Sequence, residues 1–251
     1  MNKQNSEAKK GILYLIPTLL GPEASANILS RQVIEAIHKV DILLSEKPKT
    51  TRAFLKQIPI RRPIQKFDIR LLDIHTSKEE MKEYLGLLRN GKTIGIVSEA
   101  GCPGVADPGS SLVRLAHNEN IIVMPLSGPC SVLLALMGSG LNGQNFAFIG
   151  YLPKEKQRRI KKIIDLEKTS FKNNQTQIFI ETPYRSHHLF SDLIENLKPD
   201  TDLGLAVDLT FPTQFIATKT VFQWQRIKRK VSLKNRQVVF LIYASTHSCS
   251  A

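Results

Sequence analysis

Short apolar runs alternate with longer stretches of helical periodicity along most of this chain. Residues 12–16 form an apolar run after a glycine and before a proline, the pattern of a buried strand, and 41–44, 93–97 and 121–124 repeat it. Between these runs, Ser77 and Glu80 have the capping-box spacing that opens a helix, predicted to reach Arg89. Asp107 before Pro108 has the form of an N-cap acid followed by proline at the first helical position, which predicts a helix to Asn118. Strands alternating with helices give parallel βαβ units, with helices on both faces of the sheet.

The pattern restarts near residue 145. Residues 146–150 read as a strand, 156–168 as a basic amphipathic helix, 177–181 as a strand and 186–197 as a helix. Residues 203–209, 215–222 and 237–243 are rich in β-formers, and strands adjacent in sequence predict a mixed sheet. The expected architecture is therefore two α/β domains, 1–144 with a mostly parallel sheet and 145–251 with a mixed one. Gly138, Gly140 and Gly143 have the spacing of a dinucleotide-binding turn, but they follow a helical run rather than a strand, so they are read as ending that helix.

Composition narrows the class. Of 251 residues, 42% are hydrophobic and 23% charged, which excludes a disordered scaffold. Cys102, Cys130 and Cys249 are too few and too scattered for a disulfide framework or a zinc ribbon, and predict reduced thiols in a cytoplasmic protein. No apolar window approaches the ~18 residues of a membrane span, so no membrane association is expected. The adjacent His187 and His188 would point ~100° apart on a helix, and no metal site is expected.

The formal net charge is +13, with three dense basic clusters at 49–70, 154–162 and 226–236. Solvated faces explain any one of them. Three together point to a polyanionic partner such as nucleic acid. Phe222 and Trp224 could stack on a base or pack at a strand end.

The most informative segment is the twelve residues from Ser98 to Gly109, which follow a predicted strand and hold three glycines and two prolines. Connections in α/β units are usually ~2–6 residues long, so this loop is long for a plain turn. Small residues let backbone approach a ligand closely, and ligands of open parallel sheets sit beyond the carboxyl ends of the strands. Two further loops, 17–21 and 124–131, also carry glycine after a strand.

These pieces form an ordered set: Thr18 and Gly21, Ser98-Glu-Ala-Gly-Cys-Pro103, Ala106-Asp-Pro-Gly109, Ser127-Gly-Pro-Cys-Ser131, Gly150-Tyr-Leu-Pro153 and Ile180-Glu-Thr-Pro-Tyr-Arg185. In this order they resemble the tetrapyrrole methylase superfamily over residues 11–243. Within it they are most similar to the branch that holds the small-subunit ribosomal RNA cytidine 2′-O-methyltransferases. The resemblance implies a homodimeric enzyme using S-adenosylmethionine (SAM) bound in a cleft between two domains, with RNA as partner. Matched residue by residue, it places cofactor contacts on Gly101, Cys102, Pro103, Ser131, Glu181 and Ala206. Alternatives on the same fold are methylation of a tetrapyrrole or other small molecule, and non-catalytic binding of SAM or RNA. The chain departs from the branch at Pro17-Thr-Leu-Leu-Gly-Pro22 and after Glu46, both of which would face substrate, so it reads as a divergent relative.

Methyl transfer to a ribose hydroxyl calls for a carboxylate that accepts its proton. Glu46 and Glu99 are the expected candidates. Asp107 is a third, although its position also suits a helix cap. Arg52 and Arg185 are candidates either to hold phosphate or to form surface ion pairs. Cys102 is not expected to act as a nucleophile, since no histidine stands near it in sequence. A valine at Gly101 is expected to fill cofactor space and leave the fold intact.

Overall fold

The computed structural model describes residues 9–245, so the first eight residues and Cys249 lie outside it. The chain forms two units, Met1–Cys130 and Ser131–Ala251.

The first unit is built on a five-stranded, all-parallel sheet. β1 (Ile12–Ile16), β2 (Ile42–Ser45), β3 (Asp68–Leu71), β4 (Ile94–Val97) and β5 (Ile122–Pro125) lie in the order β3-β2-β4-β1-β5. The central strands β2 and β4 are buried along their whole length, which is why they read as continuous apolar runs. Connecting them are α1 (Arg31–Lys39), α2 (Pro48–Gln57), α3 (Lys78–Arg89) and α4 (Ser110–Asn118). α3 opens with the expected reciprocal capping box of Ser77 and Glu80. α2 begins with a proline at its first turn, where the missing N–H costs nothing.

α4 corrects an expectation. It starts at Ser110 with Gly109 as its cap, at φ 120°, and not at Asp107. A side chain at Gly109 would press on Ile96 at 3.2 Å, so glycine is set there by both backbone and packing. Asp107 is thereby released from a capping role.

The second unit begins earlier than residue 145. α5 (Ser131–Ser139) belongs to it: Gly138 packs so closely on Ile216 that an added Cβ would stand 2.4 Å from it, and Thr218 Oγ1 donates to Ser139 O at 2.7 Å. Gly140, at φ 71°, follows the last helical residue, as expected of a helix-ending glycine. The sheet has the order β6-β7-β10-β8-β9, from β6 (Phe146–Tyr151), β7 (Thr176–Glu181), β8 (Asp202–Val207), β9 (Phe215–Thr220) and β10 (Val238–Tyr243). β6 and β7 are parallel and all other neighbours antiparallel, the mixed sheet expected from the late strands. α6 (Lys156–Asn173) and α7 (Ser186–Asn196) pack around Phe179, Phe190 and Phe240.

The strand expected to run to residue 222 stops at Thr220, where a second capping box with Gln223 opens α8 (Val221–Ile227). Trp224 on this helix is buried, stands edge-on to Phe190 at 5.7 Å and donates from Nε1 to Leu203 O at 2.7 Å. It is core, and takes no part in stacking on a base.

Candidate active site

In the first unit, parallel strands deliver three loops to the same edge of the sheet. β1 lies between β4 and β5, so the segments after Ile16, Val97 and Pro125 start side by side. They are stitched together by buried polar groups. The Thr18 N–H donates to Gly101 O at 2.9 Å, Thr18 Oγ1 and Ser98 Oγ share a hydrogen bond of 3.1 Å, and Ser98 Oγ also donates to Gly101 O. Gly128 lies against Pro17 so tightly that an added Cβ would stand 2.3 Å from the ring.

Gly101 has φ 79°, and its missing Cβ would sit 3.1 Å from both Leu20 Cδ2 and Pro129 O. The space beside this glycine is therefore filled by protein. Its replacement by valine strains the loop itself, which corrects the expectation of an intact fold. Open space lies further along: an added Cβ at Gly104 would meet nothing within 4 Å, and residues 104–106 are exposed.

Cys102 Sγ faces Pro129 O at 3.5 Å and is hydrogen-bonded to the Cys130 thiol. That bond and burial both push the Cys102 thiol well above its ordinary value, so it is a poor nucleophile. Pro103 is buried. Ser131 is half-buried at the start of α5.

The acids gather beside these loops, at the carboxyl ends of β2 and β4. Lys47 Nζ donates to Glu99 Oε2 at 2.6 Å, and this contact raises the lysine's pKa. Glu99 Oε1 is buried with no hydrogen-bond partner. Asp107 has its carboxyl pushed up to about 7, first by burial and then by the negative charges of Glu46 and Glu99. Three carboxylates thus share the influence of one ammonium. Sequence reasoning passed over Lys47, which meets Glu99 from 52 positions away. Its only signal was a charged residue two positions after a buried strand.

α2 leaves this point with Lys49, Arg52 and Lys56 on one face, at helical spacings of three and four, and all three are exposed. None of them forms an ion pair among the described residues. Other members of the same cluster are spent on structure: Arg62 donates to Val40 O and Lys66 O, and Arg70 pairs with Asp68 and Glu83.

The second unit presents a different strand edge. Glu181, Val238 and Val207 lie in one row across β7, β10 and β8. Glu181 Oε1 accepts from Arg185 Nη2 at 2.6 Å and from the Thr182 N–H at 2.7 Å. Arg185 is therefore committed inside the unit. Asp208, at φ 47°, accepts from Arg236 Nε at 2.7 Å, from Thr213 Oγ1 and from the Gln237 N–H. Ala206 is buried between Val239 and Ile216. No cluster of three or more potential metal ligands occurs among the described residues.

The comparisons agree with this architecture. The chain is 34% identical over 210 residues to ribosomal RNA small subunit methyltransferase I of Micromonospora olivasterospora, covering 83% of this chain and 62% of that protein. It is 32% identical to the namesake protein of Thermotoga maritima, covering 80% and 84%, and 32% identical to that of Escherichia coli O157:H7, covering 82% and 68%. The chain thus spans about three fifths to four fifths of the length of these relatives. Among solved structures it resembles diphthine synthase, with a TM-score of 0.61 at 12% identity, covering 93% of this chain and 89% of that one. It also resembles cobalt precorrin-4 methyltransferase, with a TM-score of 0.57 at 17% identity, covering 92% and 94%. At these identities the likeness concerns the fold alone. A family profile, Tetrapyrrole (Corrin/Porphyrin) Methylases, matches residues 13–224, and with the parallel sheet, its three stitched loops and the mixed second sheet this chain belongs to that family of methyltransferases.

Proposed function

We propose that this chain is a SAM-dependent methyltransferase of ribosomal RNA acting on a ribose 2′-hydroxyl. The observation that carries the reading is the juxtaposition at the end of β2: a group of carboxylates under strain beside glycine loops, with an exposed row of uncommitted cations on the helix that leaves it. The names of the relatives supply the substrate class.

The residues present fit the cofactor. The loop 101–109 has small side chains, open space at Gly104 and an orphaned carboxylate oxygen at Glu99. In this reading Gly101, Cys102 and Pro103 shape the loop, and the family resemblance assigns further cofactor contacts to Ser131, Glu181 and Ala206. Glu181 would contribute through its backbone, because its side chain is held by Arg185 and Thr182. When bound, SAM supplies an electrophilic methyl on a sulfonium that is already a good leaving group.

The chain's own task is then alignment and proton removal. Holding the hydroxyl within ~3–3.5 Å of the methyl and in line with it accounts for much of the acceleration. The hydroxyl proton passes to a carboxylate as the oxygen–carbon bond forms. Of Glu46, Glu99 and Asp107, Asp107 has a proton affinity matched to neutral pH. Burial holds it there first, and the charges of Glu46 and Glu99 add to it. Lys49, Arg52 and Lys56 grip RNA phosphates.

Exposed Ile122 and Met124 on the edge strand β5 support self-association as a homodimer, and a cytoplasmic setting follows from the substrate. No helix among the described residues is long and apolar enough to cross a membrane. The test is methyl transfer from labelled SAM to small-subunit ribosomal particles lacking their native methylation, followed by mapping of the modified nucleotide. A 2′-O-methyl mark on that RNA is expected. Tight SAM binding with no transfer to any ribosomal RNA would overturn the reading.

A further inference from the structure

We propose that a groove on the second unit, between α7 and the turn after α8, is a separate binding site for single-stranded RNA. It would hold one unstacked nucleotide in the hollow and the neighbouring phosphates on Lys228 and Arg229. The inference rests on the RNA reading above and goes beyond it by assigning a second contact outside the methyl-transfer loops.

The groove encloses about 360 Å³, near the lower end of the ~300–1,000 Å³ typical of small-ligand pockets. Phe190 and Ile194 give it an apolar floor, and His187, Ser191, Lys228 and Arg229 form a polar rim. An apolar floor takes the face of a base, and donors at the rim take phosphate and sugar oxygens. Glu195 also lines the groove. It can accept from an exocyclic base amine or from a ribose 2′-hydroxyl, both of them donors on RNA.

The charge pattern selects the partner. Of the six cations between 226 and 236, Arg226 lies 5.9 Å from the Phe222 ring and Arg236 is bound to Asp208. Lys228, Arg229 and Lys230 instead share a single 3₁₀ turn, and none has an ion pair among the described residues. Three like charges on consecutive residues repel one another unless an anion sits among them. The turn is thus poorly arranged for stability and well arranged for a phosphate chain. Phe222, 54% exposed on the helix that leads into the turn, adds a stacking surface for a neighbouring base. A regular RNA duplex keeps its bases stacked and cannot fill a hollow of this size, so the occupant is a loop or single strand.

The experiment uses the full chain and fluorescently labelled single-stranded RNA of small-subunit sequence, with affinity measured across a range of salt. The double variant Lys228→Ala/Arg229→Ala is expected to bind ~tenfold more weakly, with a salt slope smaller by about 1.4, as two lost single-strand phosphate contacts require. Ser191→Trp, which fills the hollow and keeps every charge, is expected to lose affinity with the slope unchanged. SAM affinity and thermal midpoint should stay at wild-type values in both, and Lys82→Ala on the first unit serves as the neutral control. Wild-type affinity and slope in the double variant would overturn the groove, as would wild-type affinity in Ser191→Trp. If wild type methylates ribosomal RNA and the variants bind normally, only the groove fails. If wild type itself shows no salt-dependent RNA binding and no transfer, the underlying reading fails.

Discussion

Both units carry acids at the ends of their strands, and the two sets are held in opposite ways. In the second unit the acids at the carboxyl ends of β7 and β8 are satisfied: Glu181 has Arg185 and Thr182, and Asp208 has Arg236, Thr213 and Gln237. In the first unit Glu46, Glu99 and Asp107 share Lys47, Glu99 leaves an oxygen unpaired, and the Asp107 carboxyl is forced up to about 7. The first arrangement builds structure. The second sacrifices stability to keep a carboxylate that can take a proton near neutral pH, a pattern that marks working sites. Position at a strand end does not distinguish them; the completeness of the hydrogen bonding does.

The largest expected effect lies in the loop beside the strained acids. Gly101→Val combines a φ that β-branched residues avoid with contacts on Leu20 and Pro129, and should cost ~2–4 kcal/mol and abolish transfer. Denaturant unfolding measures the cost, and an unchanged midpoint would show that the loop is not held as described.

The next two changes are the same substitution in the two regions. Asp208→Asn keeps the shape and the left-handed backbone that asparagine tolerates, but weakens three hydrogen bonds to a charge, and should cost ~2–3 kcal/mol. Asp107→Asn should do the reverse. Because the folded-state value of Asp107 lies above that of the unfolded chain, the folded protein binds the extra proton, and stability falls as pH rises from about 4 to about 7. The asparagine variant should lose that decline and melt higher than wild type at pH 8. Thermal scans at pH 5 and pH 8 check both, and equal behaviour of the two variants would erase the contrast.

The smallest effect on stability belongs to the cations of α2. Lys49→Ala/Arg52→Ala/Lys56→Ala should change the thermal midpoint little, within the ~0.5 kcal/mol per site typical of surface substitutions. RNA affinity should fall, with a salt slope reduced by about 2 for three lost phosphate contacts on a single strand. A preserved slope would return these cations to the role of a solvated face.

What could be read from sequence was what neighbouring residues decide. The capping box of Ser77 and Glu80, the glycine that ends α5 and the apolar runs of the central strands are local, and they stand where expected. Even the overrun of β9 had a local correction available, since Thr220 and Gln223 have capping-box spacing. The fold class followed from these. The site was legible only as far as its loops. That Asp107 is an acid in a crowd rather than a helix cap depends on Gly109 taking the cap and on Glu46 and Glu99 arriving from other strands. That Arg185 is spent on Glu181, while Arg52 is not spent at all, is equally a matter of three-dimensional pairing.

The most direct test of the central claim is the rate of a single turnover of methyl transfer to unmethylated small-subunit RNA, measured from pH 5.5 to 8.5 for wild type and Asp107→Asn. The account predicts a wild-type rate that rises with pH through a midpoint near 7, and an asparagine variant slower by about 10²-fold with that midpoint gone. A variant that transfers methyl at the wild-type rate with the same pH profile would contradict it.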